Sequence, residues 1–397
     1  MKVTYISNFM NHHQSELSEN LYKILGENYK FIALERLPKE RKEMGYSEMN
    51  DIYPFVIKAY ENEKLYKKAL KLTEECDVLL VGSAPDSIVL NRLKYGKLTI
   101  KCSERYFKKS NSKLYFFRNL YTALRHIRIF QNYPLYYLCS SAYTAADVNM
   151  FADFKNKCYK WGYFPKVEKY NIEELLKNKF SEKNSSCASI LWVGRLIGWK
   201  HPDASILLAE KLKNEGYNFK LSIIGTGELE ENLKTMIIEK KLSDCVNILG
   251  AMSPEKVREY MKEADIYLFT SDRNEGWGAV LNESMNSGCA VVASHAIGSV
   301  PFLIENEKNG LIYKDGDYED FYKKVTMLLD NKEKRKELSK NAYFTMTEIW
   351  NAENAAKRFI SLAQSILDGE KNPDIFKTGV CSKAKVIKDD WFKIKNI

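Results

Sequence analysis

From Ser189 onward, short β-branched runs alternate with amphipathic helical stretches. That alternation confines the chain to βαβ units wound around a parallel sheet. Strands are expected at 189–193, 219–224, 246–249, 265–269 and 289–293, and helices at about 203–214, 228–240, 254–263, 279–287 and 317–329, with turns at Gly194, Gly225 and Gly288. The N-terminal half alternates less cleanly, with strands near 2–7, 29–34, 77–81, 98–102 and 135–139. A less regular stretch, Cys158 to Lys166, precedes a charged helix at 172–181.

A chain of 397 residues exceeds what one hydrophobic core usually organises. We therefore expect an α/β protein of two doubly wound, Rossmann-like domains, residues 1–170 and 187–345, joined at about 165–187. In such folds ligands bind beyond the carboxyl ends of the strands, here in the cleft between two facing sheets. The segment 346–397, helical and then turning at Asn372-Pro373 into a basic tail with Trp391, is expected to cross back to the N-terminal domain.

Composition narrows the class. Apolar residues make up 45% and charged residues 28%, as in ordinary soluble globular proteins. Apolar runs such as Val78–Val81 fall far short of the roughly 20 residues of a spanning helix. The start, Met1 to Ser7, lacks an apolar signal-type core, so a cytoplasmic location is expected. Cysteines 76, 102, 139, 158, 187, 245, 289 and 381 form no C-x-x-C pair, which points to reduced, mostly buried thiols.

The informative loops follow strands. After Ile190 to Val193 comes Gly194-Arg195-Leu-Ile-Gly198-Trp-Lys200, directly before a helix that Pro202 and Asp203 can start. An arginine fork and an ammonium near a helix start suit a diphosphate, although two solvated cations would look the same. Gly225-Thr-Gly227 lets backbone approach a ligand or simply makes a tight turn. The third loop, Ser271 to Met285, carries Glu275 before the small residues Gly276, Trp277, Gly278, Ala279 and Val280, and then Glu283 within the helix that follows. Two carboxylates and free N–H groups so placed can grip the hydroxyls and anionic oxygens of one ligand; the alternative is a capped helix with a favourably placed Glu.

Glu275 with seven intervening residues and Glu283, together with Arg195 and Lys200, resembles the pattern of glycosyltransferase family 4, the retaining enzymes of the GT-B fold. Ala296 to Pro301 and Asn309-Gly310-Leu311 extend the resemblance, which covers about 187–345 well and the N-terminal half in outline. It implies a retaining transfer of sugar from a nucleoside-diphosphate sugar to a glycan or lipid-linked glycan hydroxyl, in cell-surface polysaccharide synthesis. Arg195 and Lys200 would bind the diphosphate, Glu283 the ribose hydroxyls, and Glu275 would face the transferred sugar. Amides of Gly276 to Val280 would meet sugar and phosphate oxygens, and Met252 would flank the base. No D-x-D metal motif stands near a strand end, Asp389-Asp390 being in the tail, so protein cations are expected to replace a metal and no cofactor is implied.

The chain departs from the family's glycine-rich first loop and mid-domain histidine. Asn11, His12 and His13 follow the first strand, and Glu104 stands near the expected histidine. These four are candidates for the acceptor or phosphate side; exposed imidazoles and a local Glu104–Arg105 salt bridge are the plainer reading. His126 reads as structural. The window 101–130 holds eight Lys or Arg against one acid, interleaved with aromatics, and suits peripheral contact with the anionic inner face of a membrane or a solvated helix face. No nucleic-acid-binding module is present. An epimerase or hydrolase acting on nucleotide sugars, or a silent nucleotide-sugar binding module, remains compatible with the same residues.

Overall fold

Val78–Val81, Ile266–Phe269 and Ala290–Ser294 are buried along their whole length, the pattern of strands covered on both faces. They belong to two all-parallel sheets in a computed structural model that describes residues 1–43, 47–108, 117, 120–121, 127–181 and 187–393. The chain divides into two compact units, Met1–Lys166 with Trp350–Lys388, and Val167–Ile349 with Asp389–Ile397.

The first unit holds β1 (Val3–Ser7), β2 (Tyr29–Ala33), β3 (Val56–Lys58), β4 (Val78–Val81), β5 (Thr99–Ser103), β6 (Leu135–Cys139) and β7 (Cys158–Lys160). Their order is β3-β2-β1-β4-β5-β6-β7, so strand order reverses between β1 and β4. The helix His12–Leu25 starts where Asn11 accepts from the His13 amide, and packs against the helix Ala352–Leu367.

The second unit holds β8 (Ala188–Val193), β9 (Phe219–Ile224), β10 (Val246–Ile248), β11 (Ile266–Phe269), β12 (Ala290–Ser294) and β13 (Leu311–Tyr313), ordered β10-β9-β8-β11-β12-β13. The reversal lies between β8 and β11, whose register sets Leu268 beside Trp192. Ile190, Trp192, Ile206, Leu268, Val292 and Phe321 form its core. The charged helix of the expected junction, here Ile172–Lys179, is part of this unit. Lys179 is buried and donates to the carbonyls of Met261, Ser287 and Gly288, and burial lowers its pKa.

The five strands and five helices expected between Ser189 and Asp330 lie within two residues of expectation. The three-residue strands β3, β7 and β13 were not anticipated. Each is the outer strand of its sheet and is too short to display an alternating period. The helix Lys332–Phe344 also escaped notice, because charged residues dominate it. All eight cysteines are free, six of them buried.

Candidate functional site

In the second unit the carboxyl ends of β8 and β11 carry the loops singled out by sequence. Thr270, just past β11, accepts from Trp192 Nε1 at 2.8 Å, and its Oγ1 lies 2.7 Å from the Lys200 carbonyl. The Asp272 amide donates to the Trp199 carbonyl at 3.0 Å. These bonds fasten the turn Gly198–Lys200 to the β11 loop. The result is an ion pair between residues 75 apart in sequence: Lys200 Nζ sits 2.5 Å from Glu275 Oε2, with side chains only 13% and 11% exposed. Ser271 Oγ adds a bond to the same oxygen at 3.2 Å.

Arg195 joins this group through Trp199, whose ring lies 5.9 Å from the guanidinium and 4.7 Å from the Lys200 ammonium. Arg195 is exposed, and among the described residues no carboxylate pairs with it. Glu283 occupies the first turn of the helix Val280–Asn286, held from below by Arg258, which donates to its carbonyl at 2.8 Å. Burial raises the Glu283 carboxyl above its ordinary value, opposed by the Arg258 charge. Both Glu283 and Glu275 act on the buried Tyr267 phenol, whose pKa is raised mainly by burial and further by these two carboxylates. The two cations and two carboxylates thus lie around one end of one sheet.

Glycines shape the floor. A Cβ on Gly225 would meet the Gly194 carbonyl oxygen at 1.8 Å, and one on Gly227 the Leu196 oxygen at 2.4 Å. Close approach of two backbones therefore accounts for both glycines. Gly250, before Met252, accepts from the Gly225 amide and draws the β10 loop into the same cluster. Gly278 has φ +77, and a Cβ there would meet Phe269 at 2.3 Å. Gly278→Ala is expected to cost about 2–4 kcal/mol through backbone strain plus overpacking, measured by denaturant unfolding. The Trp277 side chain is fully buried and donates to Asn282 at 2.9 Å, so only its backbone can reach a ligand. Among the described residues no backbone carbonyl accepts from the amides of Gly278, Ala279 or Val280.

Sequence reasoning missed His201 and Asp272. His201 takes the left-handed conformation at φ 49, and its Nε2 lies 3.6 Å from Asp272 Oδ2. The neighbouring Asp272 carboxylate raises the His201 pKa, and His201, against burial, lowers the pKa of Asp272. The pair's stabilisation is complete below the ordinary histidine range and is lost as pH rises through the folded His201 value. An NMR titration should place His201 above 6.5, and Asp272→Asn should bring it down.

In the first unit, Asn11 is occupied as a helix cap. The His12 and His13 rings lie 3.7 Å apart, and His13 stacks on Tyr163 at 5.3 Å. Burial, then Arg41, lowers His12 to about 4; burial, then His12 and Arg41, lowers His13 well below its ordinary value, so both are neutral near pH 7. The expected Glu104–Arg105 bridge is not formed. Glu104 instead accepts from Tyr163 Oη at 2.5 Å and Lys108 at 2.7 Å, while Arg105 is buried 3.7 Å from Asp147. Neighbouring side chains of an extended segment diverge, so each finds a partner elsewhere. In the basic window, Lys101 also pairs internally, with Asp86 at 2.7 Å. Arg128 is exposed, whereas Lys109, Lys113, Arg118, Arg125 and His126 lie outside the described residues.

Among the described residues no group of three or more His, Cys, Asp or Glu is placed to hold a metal ion, and no helix is long and apolar enough to cross a membrane.

Two parallel, doubly wound sheets with helices define the GT-B class. The structure resembles Anabaena HepE solved in complex with UDP, with TM-score 0.67 and 13% identity, covering 92% of this chain and 100% of that one. Residues 174–344 match the family model described as glycosyl transferases group 1. The chain is 38% identical over 133 residues to the amylovoran biosynthesis glycosyltransferase AmsK of Erwinia amylovora, covering 32% of each protein. It is 31% identical over 133 residues to the putative colanic acid biosynthesis glycosyltransferase WcaL of Escherichia coli, again 32% of each. The chain spans between 32% and 50% of the length of four curated relatives it matches.

Proposed function

We propose that this chain is a retaining glycosyltransferase that moves a sugar from a nucleoside-diphosphate sugar to a hydroxyl of a glycan or lipid-linked glycan in cell-surface polysaccharide synthesis. The observation that carries the reading is the Lys200–Glu275 pair at the strand-order reversal of the second sheet, with Arg195 and Glu283 beside it. When the anomeric carbon–oxygen bond breaks, its electron pair passes to the diphosphate. Cations already held in place by Trp199 and Glu275 stabilise that charge without reorganising. In this reading they take the role a metal plays elsewhere, so the reaction is metal-independent. Glu283 accepts from the ribose hydroxyls, the amides of Gly276 to Val280 meet sugar and phosphate oxygens, and Met252 flanks the base. Glu275 faces the transferred sugar.

The acceptor is assigned to the first unit, where neutral His12 and His13 and the Glu104 carboxylate stand near the carboxyl ends of its strands. The similarity to AmsK, an amylovoran biosynthesis glycosyltransferase, and to WcaL, a putative colanic acid biosynthesis glycosyltransferase, supports the polysaccharide context. Exposed Phe117, Tyr121, Arg128 and Ile129 support peripheral contact with an anionic membrane.

Incubating a panel of nucleotide sugars with and without glycan and lipid extracts tests the reading by its products. A glycosylated acceptor with EDTA present is expected. Epimerised donor, or free sugar formed at the same rate whether or not acceptor is added, would overturn it.

A further inference from the structure

The C-terminal tail is unused by the function just described, yet its residues reach the donor-side loops of the second unit. His295, immediately after β12, is only 7% exposed. Its Nδ1 accepts from the Asp315 amide at 2.9 Å, which fixes the tautomer with the proton on Nε2. That N–H faces the Asp389 carbonyl at 3.1 Å. Trp391 and Phe392 lie against the same imidazole, at ring-centre distances of 6.5 and 6.0 Å. The Asp389 carboxylate meets the Arg273 guanidinium at 3.2 Å, two residues before Glu275. The loops so gripped are themselves joined, because the Gly298 amide donates to the Glu275 carbonyl at 3.1 Å.

The tail therefore holds two loops that meet at Glu275, the residue whose side chain is bonded to Lys200. The chain leaves the first unit at Lys388 and enters the second at Asp389, so the strap begins where it changes units. An exposed Arg–Asp pair contributes little alone. The backbone bond to a buried imidazole and the two aromatic rings supply the rest. Burial lowers the His295 pKa, which keeps the ring neutral and its Nδ1 free to accept.

We infer that residues 389–392 form a strap that holds the Arg273–Glu275 loop and the His295 loop in the arrangement that binds the donor, with Asp389 as a positioning residue. The inference rests on the proposed donor site. Thermodynamic linkage gives it a two-sided signature: if docking of the strap raises nucleotide affinity by some factor, nucleotide must favour docking by that same factor.

The experiment uses the full chain, a chain ending at Lys388, and Trp391→Ala. The probe is whichever of UDP, GDP or ADP stabilises the full chain most in thermal shift. Shortening the chain is expected to weaken that nucleotide by about 5- to 150-fold, the usual range of such couplings, with Trp391→Ala between the two. In the full chain, nucleotide should slow tryptic cutting at the exposed Lys388 by a comparable factor. A second arm separates coupling from general damage. Asp389→Arg should weaken binding and Arg273→Asp/Asp389→Arg should restore part of it, while the melting temperatures of the nucleotide-free proteins stay together. Equal affinity in all chains, with cutting at Lys388 indifferent to nucleotide, overturns the strap and leaves the donor site intact. If no nucleotide stabilises even the full chain, the donor-site reading fails instead.

Discussion

Lys200→Ala is expected to lower turnover by about 10²–10³-fold, the loss typical of removing one preorganised group from the position where transition-state charge develops. The same change should destabilise the protein by about 3–5 kcal/mol, because it strands Glu275 as a buried, unpaired carboxylate. The two losses have separate causes and can be pulled apart. Adding Glu275→Gln to Lys200→Ala removes the stranded charge, so the double variant should unfold at higher denaturant than the single one. Its turnover should stay low, since neither the diphosphate cation nor the sugar-facing carboxylate returns. Recovery of both properties together would mean that the ion pair serves stability alone.

Glu283→Gln should move stability and binding in opposite directions. Burial holds the carboxyl above its ordinary value of 4.5, so the folded chain keeps that proton more tightly than the unfolded chain does. Stability from this group therefore falls as pH rises from about 4.5 through the folded value, and above that range burying it is a net cost. The neutral amide should raise the melting temperature of the nucleotide-free protein at pH 7 and flatten that dependence. Nucleoside diphosphate affinity should fall by about 10- to 150-fold, matching the 1.5–3 kcal/mol of hydrogen bonds to a charged group. A protein that conserves such a cost in its resting state is holding a ligand group ready, a common stability–function trade-off.

Much of the second unit was legible because its strands and helices are long enough to show their periods. Pro254–Glu263 follows from Ser253, which caps it, and from a clear amphipathic pattern. The three-residue edge strands β3, β7 and β13 show no pattern of their own and appear only once neighbouring strands pair with them. For the site, the sequence shows which charged residues follow strands. It does not show which of them touch. The Lys200–Glu275 bond depends on Thr270 fastening the Gly198–Lys200 turn, a contact across 70 residues. Gly225 and Gly227 were ambiguous for the same reason, since the backbone they make room for lies about 30 residues upstream. The Glu104–Tyr163 bond and the grip of the tail on His295 and Arg273 are tertiary in origin, and no local pattern announces them.

The most direct test of the central claim, that the second unit grips a nucleoside diphosphate through two cations and two carboxylates, is a thermal-shift titration. ADP, GDP and UDP, each free and sugar-linked, would be titrated against the wild-type chain, Arg195→Ala and Glu283→Gln. One base is expected to stabilise the wild type by about 2.7 kcal/mol at 100 times its dissociation constant, with both variants shifted far less at the same concentration. Stabilisation by none of the six, or by all of them equally in all three proteins, would contradict the account.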